Sequence, residues 1–244
     1  MKSLYRTALI IASVLVTYLY ATAPPARNFA EPESAKILFF HAPEAMLCTV
    51  FFLWGAIMAG RYLRTRDIAF DIRSLASIEM GTLLCLLATA TGMVFAYEQW
   101  GVAWDWDFRQ VSIFIQLLIY AAYFALRAGF SSRERAAANA GAYSIFAFLT
   151  VPFLIWVLPR LPQFATKHAG ANQAVTGGGL DSTYRAIFYS CAVVIGLVAL
   201  YCYKLRVREA EAFAHSEKFD VIQDSSFDST SAGVVRPVRL RDTD

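Results

Sequence analysis

The stretch Trp100–Arg109, WGVAWDWDFR, separates two long apolar segments at about Ser74–Tyr97 and Val111–Leu126. It holds three of the five tryptophans of the chain, together with two aspartates and an arginine. Tryptophan is enriched where a membrane meets water, so an interfacial aromatic belt is one interpretation of this stretch. Flat apolar faces with charges at their rim would equally suit a large planar cofactor that bears carboxylates. Which interpretation applies, an aromatic belt or a cofactor site, depends on the topology of the rest of the chain.

The composition of the chain indicates a membrane protein. Its 244 residues are 57% hydrophobic and 17% charged, with a mean hydropathy of +0.45. Soluble proteins have about a quarter of their residues charged, so the apolar excess calls for a solvent other than water. The net charge is only +3, and no basic stripe lies on a soluble face, which argues against a nucleic-acid partner.

Six apolar segments are long enough to cross a bilayer as helices. They lie at about Leu4–Ala23, Pro32–Gly60, Ser74–Tyr97, Val111–Leu126, Ala140–Leu158 and Tyr184–Tyr203. Each is apolar all round, as lipid-embedded helices require. The sequence therefore predicts an all-α polytopic membrane bundle of six transmembrane helices over residues 1–206. A polar, flexible tail is expected over residues 207–244.

The first segment also has features of a secretory signal, because Ala21-Thr22-Ala23 has the form of a cleavage site. Pro24 and Pro25 follow directly, and the apolar run is longer than the core of a typical signal peptide. We therefore expect the first helix to be retained.

The basic residues of the loops predict the orientation, because positive charge stays on the cytoplasmic side. They are concentrated before the first helix, between the second and third, between the fourth and fifth, and after the sixth: Lys2, Arg6, Arg61, Arg64, Arg66, Arg73, Arg127, Arg133, Arg135, Lys204, Arg206 and Arg208. Both termini are thus expected in the cytoplasm, and Trp100–Arg109 on the outer side of the membrane.

Two of the three histidines, His41 and His168, fall on the predicted outer side, and His215 falls in the tail. His41 lies near the outer end of the second helix, where an ionisable side chain should face the bundle interior. Alone, it could be an interhelical hydrogen-bonding residue. Two outer histidines beside an aromatic platform instead favour axial ligation of haem iron, with Arg109 pairing with a propionate. Zinc is disfavoured because its sites usually collect three or four ligands.

Two carboxylates inside the apolar segments need partners. Glu44 lies three residues after His41, so it could orient the imidazole, or it could be an interfacial carboxylate. Glu79 is expected to pair with Arg73 or a neighbouring basic residue. In the fifth helix, Pro152 is expected to mark a kink.

Hydrolytic and nucleotide-driven enzymes are not indicated. The chain has no glycine-rich phosphate loop, no nucleophile elbow and no His-Glu-x-x-His sequence. It also lacks Cys-x-x-Cys-His, so any haem would be bound non-covalently. We therefore expect a binding protein and not an enzyme.

The stretch from Trp100 to Arg109 resembles the tryptophan-rich "WWD" signature of the CcmC/CcmF/CcsA superfamily, which handles haem in cytochrome c maturation. His41 in a Phe-His-x-Pro context before it and His168 in a His-x-Gly context after it resemble the CcmC branch in particular. The resemblance covers about residues 35–205.

This resemblance implies that His41 and His168 ligate haem on the outer face of the membrane. It implies a platform in the loop at about residues 97–110, formed by Trp100, Gly101, Trp104, Trp106, Asp107 and Arg109. The cargo would be non-covalent b-type haem in transit. Partners would be a CcmE-like haem chaperone, CcmA/CcmB-like subunits of an ABC transporter, a small single-span CcmD-like subunit and the lipid membrane.

The chain departs from the family pattern at several positions. Asp105 separates two signature tryptophans, and Phe108 and Gln110-Val111 flank Arg109 in place of Ala and Leu-Thr. Glu44 replaces a small residue, and Ala96–Gln99 replaces Trp-Gly-Lys-Pro. These changes add negative charge beside the platform.

Three other functions were weighed. A larger cytochrome c synthase of the same superfamily would carry extra helices and an outer domain. A b-type haem anchor of a respiratory complex would need histidine pairs across helices, whereas His168 falls in a loop. A small-molecule permease would need a polar path, and Glu79 alone does not make one.

Overall fold

The computed structural model describes residues 2–25, 29–161, 164 and 182–231, with side chains between Leu4 and Ser216. Within these ranges the regular structure is helical and contains no strand. The helices are α1 (Lys2–Thr22), α2 (Leu38–Thr65), α3 (Ile68–Trp100), α4 (Phe108–Ala128), α5 (Arg133–Val151) and α6 (Ser182–Ser231). A 3₁₀ turn, Ser34–Ile37, precedes α2.

Each of the six helices contains a segment long and apolar enough to cross a membrane, within the part of the chain that is described. The predicted all-α bundle of six spans is therefore confirmed, and the chain is a multi-pass membrane protein. Helices α3, α4 and α6 extend beyond the predicted segments at both ends, because their polar ends continue the helix past the apolar run. By contrast, α1 ends at Thr22 and α2 begins at Leu38, inside the predicted bounds. The direction of the spans stays a prediction from the loop charges.

Helix α2 lies at the centre of the bundle and packs most closely on α3. A Cβ atom at Gly55 would lie 2.7 Å from Cγ1 of Ile78, and one at Gly81 would lie 2.7 Å from Cδ1 of Phe52. Small residues allow two membrane helices to approach each other in this way. The hydroxyl of Ser74 also donates to the carbonyl of Gly55 at 2.8 Å, which ties the two backbones together.

Helix α5 changes its winding at Pro152, where the sequence predicts a kink. The chain continues as a π-helical segment, Pro152–Val157, and a 3₁₀ turn, Leu158–Arg160. Proline has no N–H for the α-helical hydrogen bond, so the ladder is interrupted there. The wider turns bring the end of α5 over the start of α4.

The two ends of the bundle differ in character. We call the end that carries the α3–α4 connection, residues 101–107, the loop end, and the opposite one the tail end. Ion pairs lie toward the tail end: Asp71 with Arg127, Glu79 with Arg206, and Arg73 with Glu211. The partner of Glu79 is thus Arg206 and not Arg73.

Helix α6 does not end at the predicted boundary after residue 206. It continues to Ser231, and Val207, Ala210 and Ala214 pack against the core of the bundle. The ion pairs from Arg206 and Glu211 to α3 hold this part of the helix in place. Because the segment is polar, its composition did not indicate that it packs against the bundle.

Candidate functional site

A cavity of about 120 Å³ lies at the loop end of the bundle. Three helices, the tryptophan loop and the segment that follows α5 contribute to its wall: His41 from α2, Gly92 from α3, Trp104 from the loop, Arg109 from α4, and Pro159 from the turn after α5. Three of the predicted site residues, His41, Trp104 and Arg109, therefore face one space.

His41 lies in the first turn of α2, as expected from the sequence. Its Nδ1 atom is 2.9 Å from the carbonyl oxygen of Ala88 in α3. A carbonyl can only accept, so the neutral imidazole carries its proton on Nδ1. The lone pair of Nε2 is therefore available to a metal ion or another electrophile in the cavity.

Gly92 provides the room for this imidazole. A Cβ atom at Gly92 would lie 2.7 Å from Cε1 and 3.2 Å from Nδ1 of His41. Any larger residue would push the ring away from its position. Gly92 is not among the site residues predicted from the sequence, although a glycine inside an apolar helix is a recognised sign of close packing.

Glu44 is connected to His41 through Thr91. The hydroxyl of Thr91 lies 3.1 Å from Oε2 of Glu44 and 3.3 Å from Nδ1 of His41. Glu44 is only 9% exposed, so it faces the bundle and is not an interfacial carboxylate. The hydroxyl of Thr91 thus lies between the carboxylate of Glu44 and the imidazole of His41, within hydrogen-bond distance of both.

The tryptophan loop, residues 101–107, is held by a helix cap at each end. Gly101 adopts a φ of 76° and its N–H donates to the carbonyl of Tyr97 at 2.8 Å, which ends α3. The carboxylate of Asp107 accepts from the N–H of Arg109 at 2.9 Å, which begins α4. Within the platform, Gly101 and Asp107 therefore shape the backbone.

The side chain of Gln110, in the first turn of α4, hydrogen-bonds to the backbone of the loop. Its Nε2 donates to the carbonyl of Ala103 at 3.0 Å, and its Oε1 accepts from the N–H of Asp105 at 3.0 Å. The carboxylate of Asp105 in turn accepts from the N–H of Asp107 at 3.2 Å. The backbone of Asp105 and the side chain of Gln110 thus hydrogen-bond to each other and hold the loop conformation.

The three tryptophans of the signature have different surroundings. Trp104 lines the cavity. Trp106 meets Trp104 edge-on at 5.7 Å, is 67% exposed and has a φ of 59°. Trp100 packs edge-on against Phe95 at 5.5 Å, back toward α3. Only Trp104 therefore presents its indole to the cavity within the described wall, and Trp106 stands at the surface beside it.

Two arginines lie near the mouth of the cavity. Arg109 lines it, and Arg160 is close enough to interact electrostatically with Arg109. The guanidinium of Arg160 donates to the carbonyls of Trp156 and Ile155 at 2.8 and 3.2 Å. It also lies 5.0 Å from the ring centre of Trp156. Arg109 therefore has both a cation, Arg160, and an anion, Asp107, in its electrostatic surroundings.

His168, the second predicted ligand, lies outside the described residues. The nearest described residue before it is Phe164, whose ring stacks on Phe108 at 4.1 Å with an interplanar angle of 16°. Phe108 directly precedes Arg109 in the chain. The α5–α6 connection thus contacts the start of α4 beside the cavity.

Comparison with known proteins gives a family match over most of the chain. The family model described as "Heme exporter protein C" (CcmC) matches residues 1–218. A "Heme exporter protein C" of Bradyrhizobium diazoefficiens is 29% identical over 175 residues, which are 70% of this chain and 64% of that protein. One of Paracoccus denitrificans is 28% identical over 127 residues, 50% of this chain and 53% of that protein.

The protein of the same name from Escherichia coli K12 is 24% identical over 168 residues, 68% of this chain and 67% of that protein. The match to the Bradyrhizobium and Paracoccus relatives thus spans about two thirds and about half of their lengths.

Proposed function

The chain belongs to the CcmC family of heme exporter protein C, and we propose that it binds haem in the loop-end cavity and presents it for cytochrome c maturation. The observation that carries this proposal is His41, whose Nδ1–H is held by the carbonyl of Ala88 while Nε2 is left for a ligand bond. A neutral imidazole in this state is a common axial ligand of haem iron.

The chemistry of the cavity wall fits haem as a cargo. Its lining is mostly apolar, with an indole from Trp104 and a guanidinium from Arg109. Indole suits the face or edge of a porphyrin, and guanidinium pairs well with a carboxylate such as a propionate. The porphyrin would be held without a covalent bond, as b-type haem.

We propose His168 as the second axial ligand. This assignment comes from the family resemblance, and the stacking of Phe164 on Phe108 supports it by bringing the preceding segment to the cavity. Two imidazoles would leave the iron six-coordinate. Release of haem would then require both nitrogen–iron bonds to be exchanged for ligands on the recipient.

The residues of this chain contribute binding and orientation, and the proposed role includes no covalent chemistry. The hydrogen bond to Ala88 fixes the ring of His41, and Thr91 links that ring to Glu44. Trp106 stands 67% exposed beside the cavity, where it can contact a partner that receives the haem. The proposed recipient is a CcmE-like chaperone.

The proposed setting is a bacterial inner membrane, with the cavity on the outer face and both termini in the cytoplasm. The basic loops at the tail end support this orientation. CcmA/CcmB-like transporter subunits and a CcmD-like single-span subunit complete the proposed assembly.

Co-purification with the chaperone encoded in the same organism tests the presentation step. We expect Trp106→Ala to retain bound haem but to recover much less chaperone than wild type, because its indole projects outward. Trp54→Ala is the matched control, since Trp54 lies on α2 away from the cavity and is 43% exposed. Equal chaperone recovery from Trp106→Ala and wild type would contradict the presenting role of the loop.

A further inference from the structure

Helix α4 carries a row of polar side chains on one face. Ser112, Gln116, Tyr120, Tyr123 and Arg127 follow one another at intervals of three or four residues, which places them on the same side of the helix. The first four are 2%, 0%, 1% and 0% exposed, so this side faces the bundle interior. A buried polar row is costly in a membrane and calls for an explanation.

Four of these side chains have polar atoms that the protein does not satisfy. Ser112 Oγ, Gln116 Nε2 and the hydroxyls of Tyr120 and Tyr123 are buried without a hydrogen-bond partner in the described part of the chain. The other amide atom of Gln116, Oε1, lies 3.3 Å from Thr150 Oγ1. Turning the amide over would only exchange which of its two atoms lacks a partner.

Buried serines on other helices are satisfied within the protein. Ser74 and Ser77 of α3 donate to carbonyls of α2 at 2.8 and 2.7 Å, and Ser144 of α5 donates to Gly141 at 2.8 Å. Ser112 differs from all three. Buried polar groups without a protein partner usually bind ordered water, because an unmade hydrogen bond is expensive in an apolar interior.

The row connects two defined places in the molecule. At one end, Ser112 lines the loop-end cavity. At the other end, Tyr123 lies beside Arg127, which is held by both oxygens of Asp71 at 2.8 and 2.6 Å. A helix rises 1.5 Å per residue, so Ser112 and Arg127 are about 22 Å apart, most of an apolar layer about 30 Å thick.

Neighbouring side chains of the row lie side by side on the helix, because Cβ atoms at i and i+4 are about 6 Å apart. Ordered water is the natural partner for their unsatisfied polar atoms and connects one group to the next. Hydroxyl groups and water both donate and accept. Such a chain can pass on an excess proton when each oxygen takes up one proton and releases another, without any redox change.

We propose that this face of α4 is a hydrated, proton-conducting file that extends the loop-end cavity inward and is closed by the Asp71–Arg127 pair. The guanidinium of Arg127 is permanently charged and repels an excess proton, as arginines in proton-excluding pores do. Asp71, only 3% exposed, neutralises that charge so that the pair can remain buried. The cavity thus has proton access deep into the bundle while the membrane stays sealed.

Proton flux into liposomes that contain the purified full-length protein tests this proposal. A potassium diffusion potential drives protons inward, and a trapped pH dye reports them. Wild type should match protein-free liposomes. The double variant Asp71→Asn/Arg127→Gln removes both charges of the seal and should conduct at least about tenfold faster, since a tenfold rate needs only about 1.4 kcal/mol of barrier.

Further variants separate the file from a general leak. Adding Gln116→Leu and Tyr120→Phe to the open double variant should return the flux to the wild-type level. Adding Tyr143→Phe should leave the flux high, because that hydroxyl donates to the carbonyl of Ile119 at 3.0 Å. Glu79→Gln/Arg206→Gln, which removes a tail-end ion pair outside the row, should stay sealed.

Several outcomes would overturn the proposal. Among these are a wild-type leak, an Asp71→Asn/Arg127→Gln variant that is no more permeable than wild type, and a leak that survives Gln116→Leu/Tyr120→Phe. If the double variant does not fold, thermal unfolding of Tyr120→Phe tests whether the hydroxyl of Tyr120 is hydrated. A hydrated hydroxyl predicts a lower Tm than wild type, and a dry, unpaired hydroxyl predicts an equal or higher one.

Discussion

His41 is held in place by two features of α3 that carry no charge. The carbonyl of Ala88 fixes the proton on Nδ1, and the missing side chain of Gly92 leaves the space that the ring fills. A ligand imidazole whose other nitrogen is hydrogen-bonded keeps one orientation and gains basicity. The orientation of the His41 ring thus depends on the α2–α3 contact as much as on the histidine itself.

Replacing Gly92 with alanine tests this dependence. The added methyl group would lie 2.7 Å from Cε1 of His41, so the ring must move. Overpacking of this kind costs about 1–3 kcal/mol, and we expect haem affinity in a spectroscopic titration to fall by about tenfold or more.

Gly196→Ala is the matched control for this prediction, because a Cβ there would make only an ordinary contact with Leu47 at 3.5 Å. Its haem affinity should equal that of wild type. An unchanged affinity in Gly92→Ala would mean that the position of the His41 ring does not limit haem binding.

At the scale of elements, the tryptophan loop is a short connection fixed by the helices that it joins. Its two caps, Gly101 and Asp107, set where the helices end, and Gln110 bonds the loop backbone from the next helix. The sequence predicted the loop and its aromatic content. It could not predict that the indole of Trp104 lines the cavity while that of Trp100 packs toward α3. These side-chain directions depend on backbone angles such as the φ of 59° at Trp106.

Loss of the Asp107 cap should weaken both the fold and the site. We expect Asp107→Ala to lower the free energy of unfolding by about 1 kcal/mol, the usual contribution of an N-cap. It should also weaken haem binding, because Arg109 and the loop beside it lose their anchor. Thermal unfolding and haem titration of the purified protein measure the two effects.

Asp67→Ala provides the comparison, since Asp67 caps α3 at the tail end and accepts from Ala69 at 2.9 Å. It should cost similar stability and leave haem affinity unchanged. Equal losses of haem affinity in both variants would indicate a global effect on folding and not a role of the loop.

The sequence predicted that six helices exist, but it did not predict where each helix begins and ends. The apolar runs identified all six spans, because length and hydropathy suffice for that purpose. The continuation of α6 past residue 206 depends on ion pairs with α3, whose residues lie far away in the sequence. Composition alone therefore assigned that segment to a tail.

On the scale of the whole molecule, the described part of the bundle has a cavity at its loop end and ion pairs toward its tail end. The cavity brings His41 together with Trp104 and Arg109, which lie more than 60 residues later in the chain. Paired charges between α3 and its neighbours α4 and α6 lie toward the opposite end. This asymmetry suits a protein that receives and delivers a ligand on one side of the membrane.

The site residues with a distinctive side chain could be predicted from the sequence. Those that matter only through packing between helices could not. His41, Trp104 and Arg109 are conspicuous in an apolar sequence. Gly92 and Thr91 act through the contact between α2 and α3. Gly92 is marked in the sequence only as a glycine inside an apolar helix, and nothing in the sequence marks Thr91. The role of His168 stays a prediction from the sequence.

The most direct test of the account is the haem absorbance of purified wild-type protein and its histidine variants. Wild type loaded with haem should give the spectrum of low-spin iron with two imidazole ligands. His41→Ala/His168→Ala should lose it, and His215→Ala, which alters an exposed histidine of α6, should keep it. An unchanged spectrum in the His41→Ala/His168→Ala variant would contradict the central claim that these two residues hold the iron.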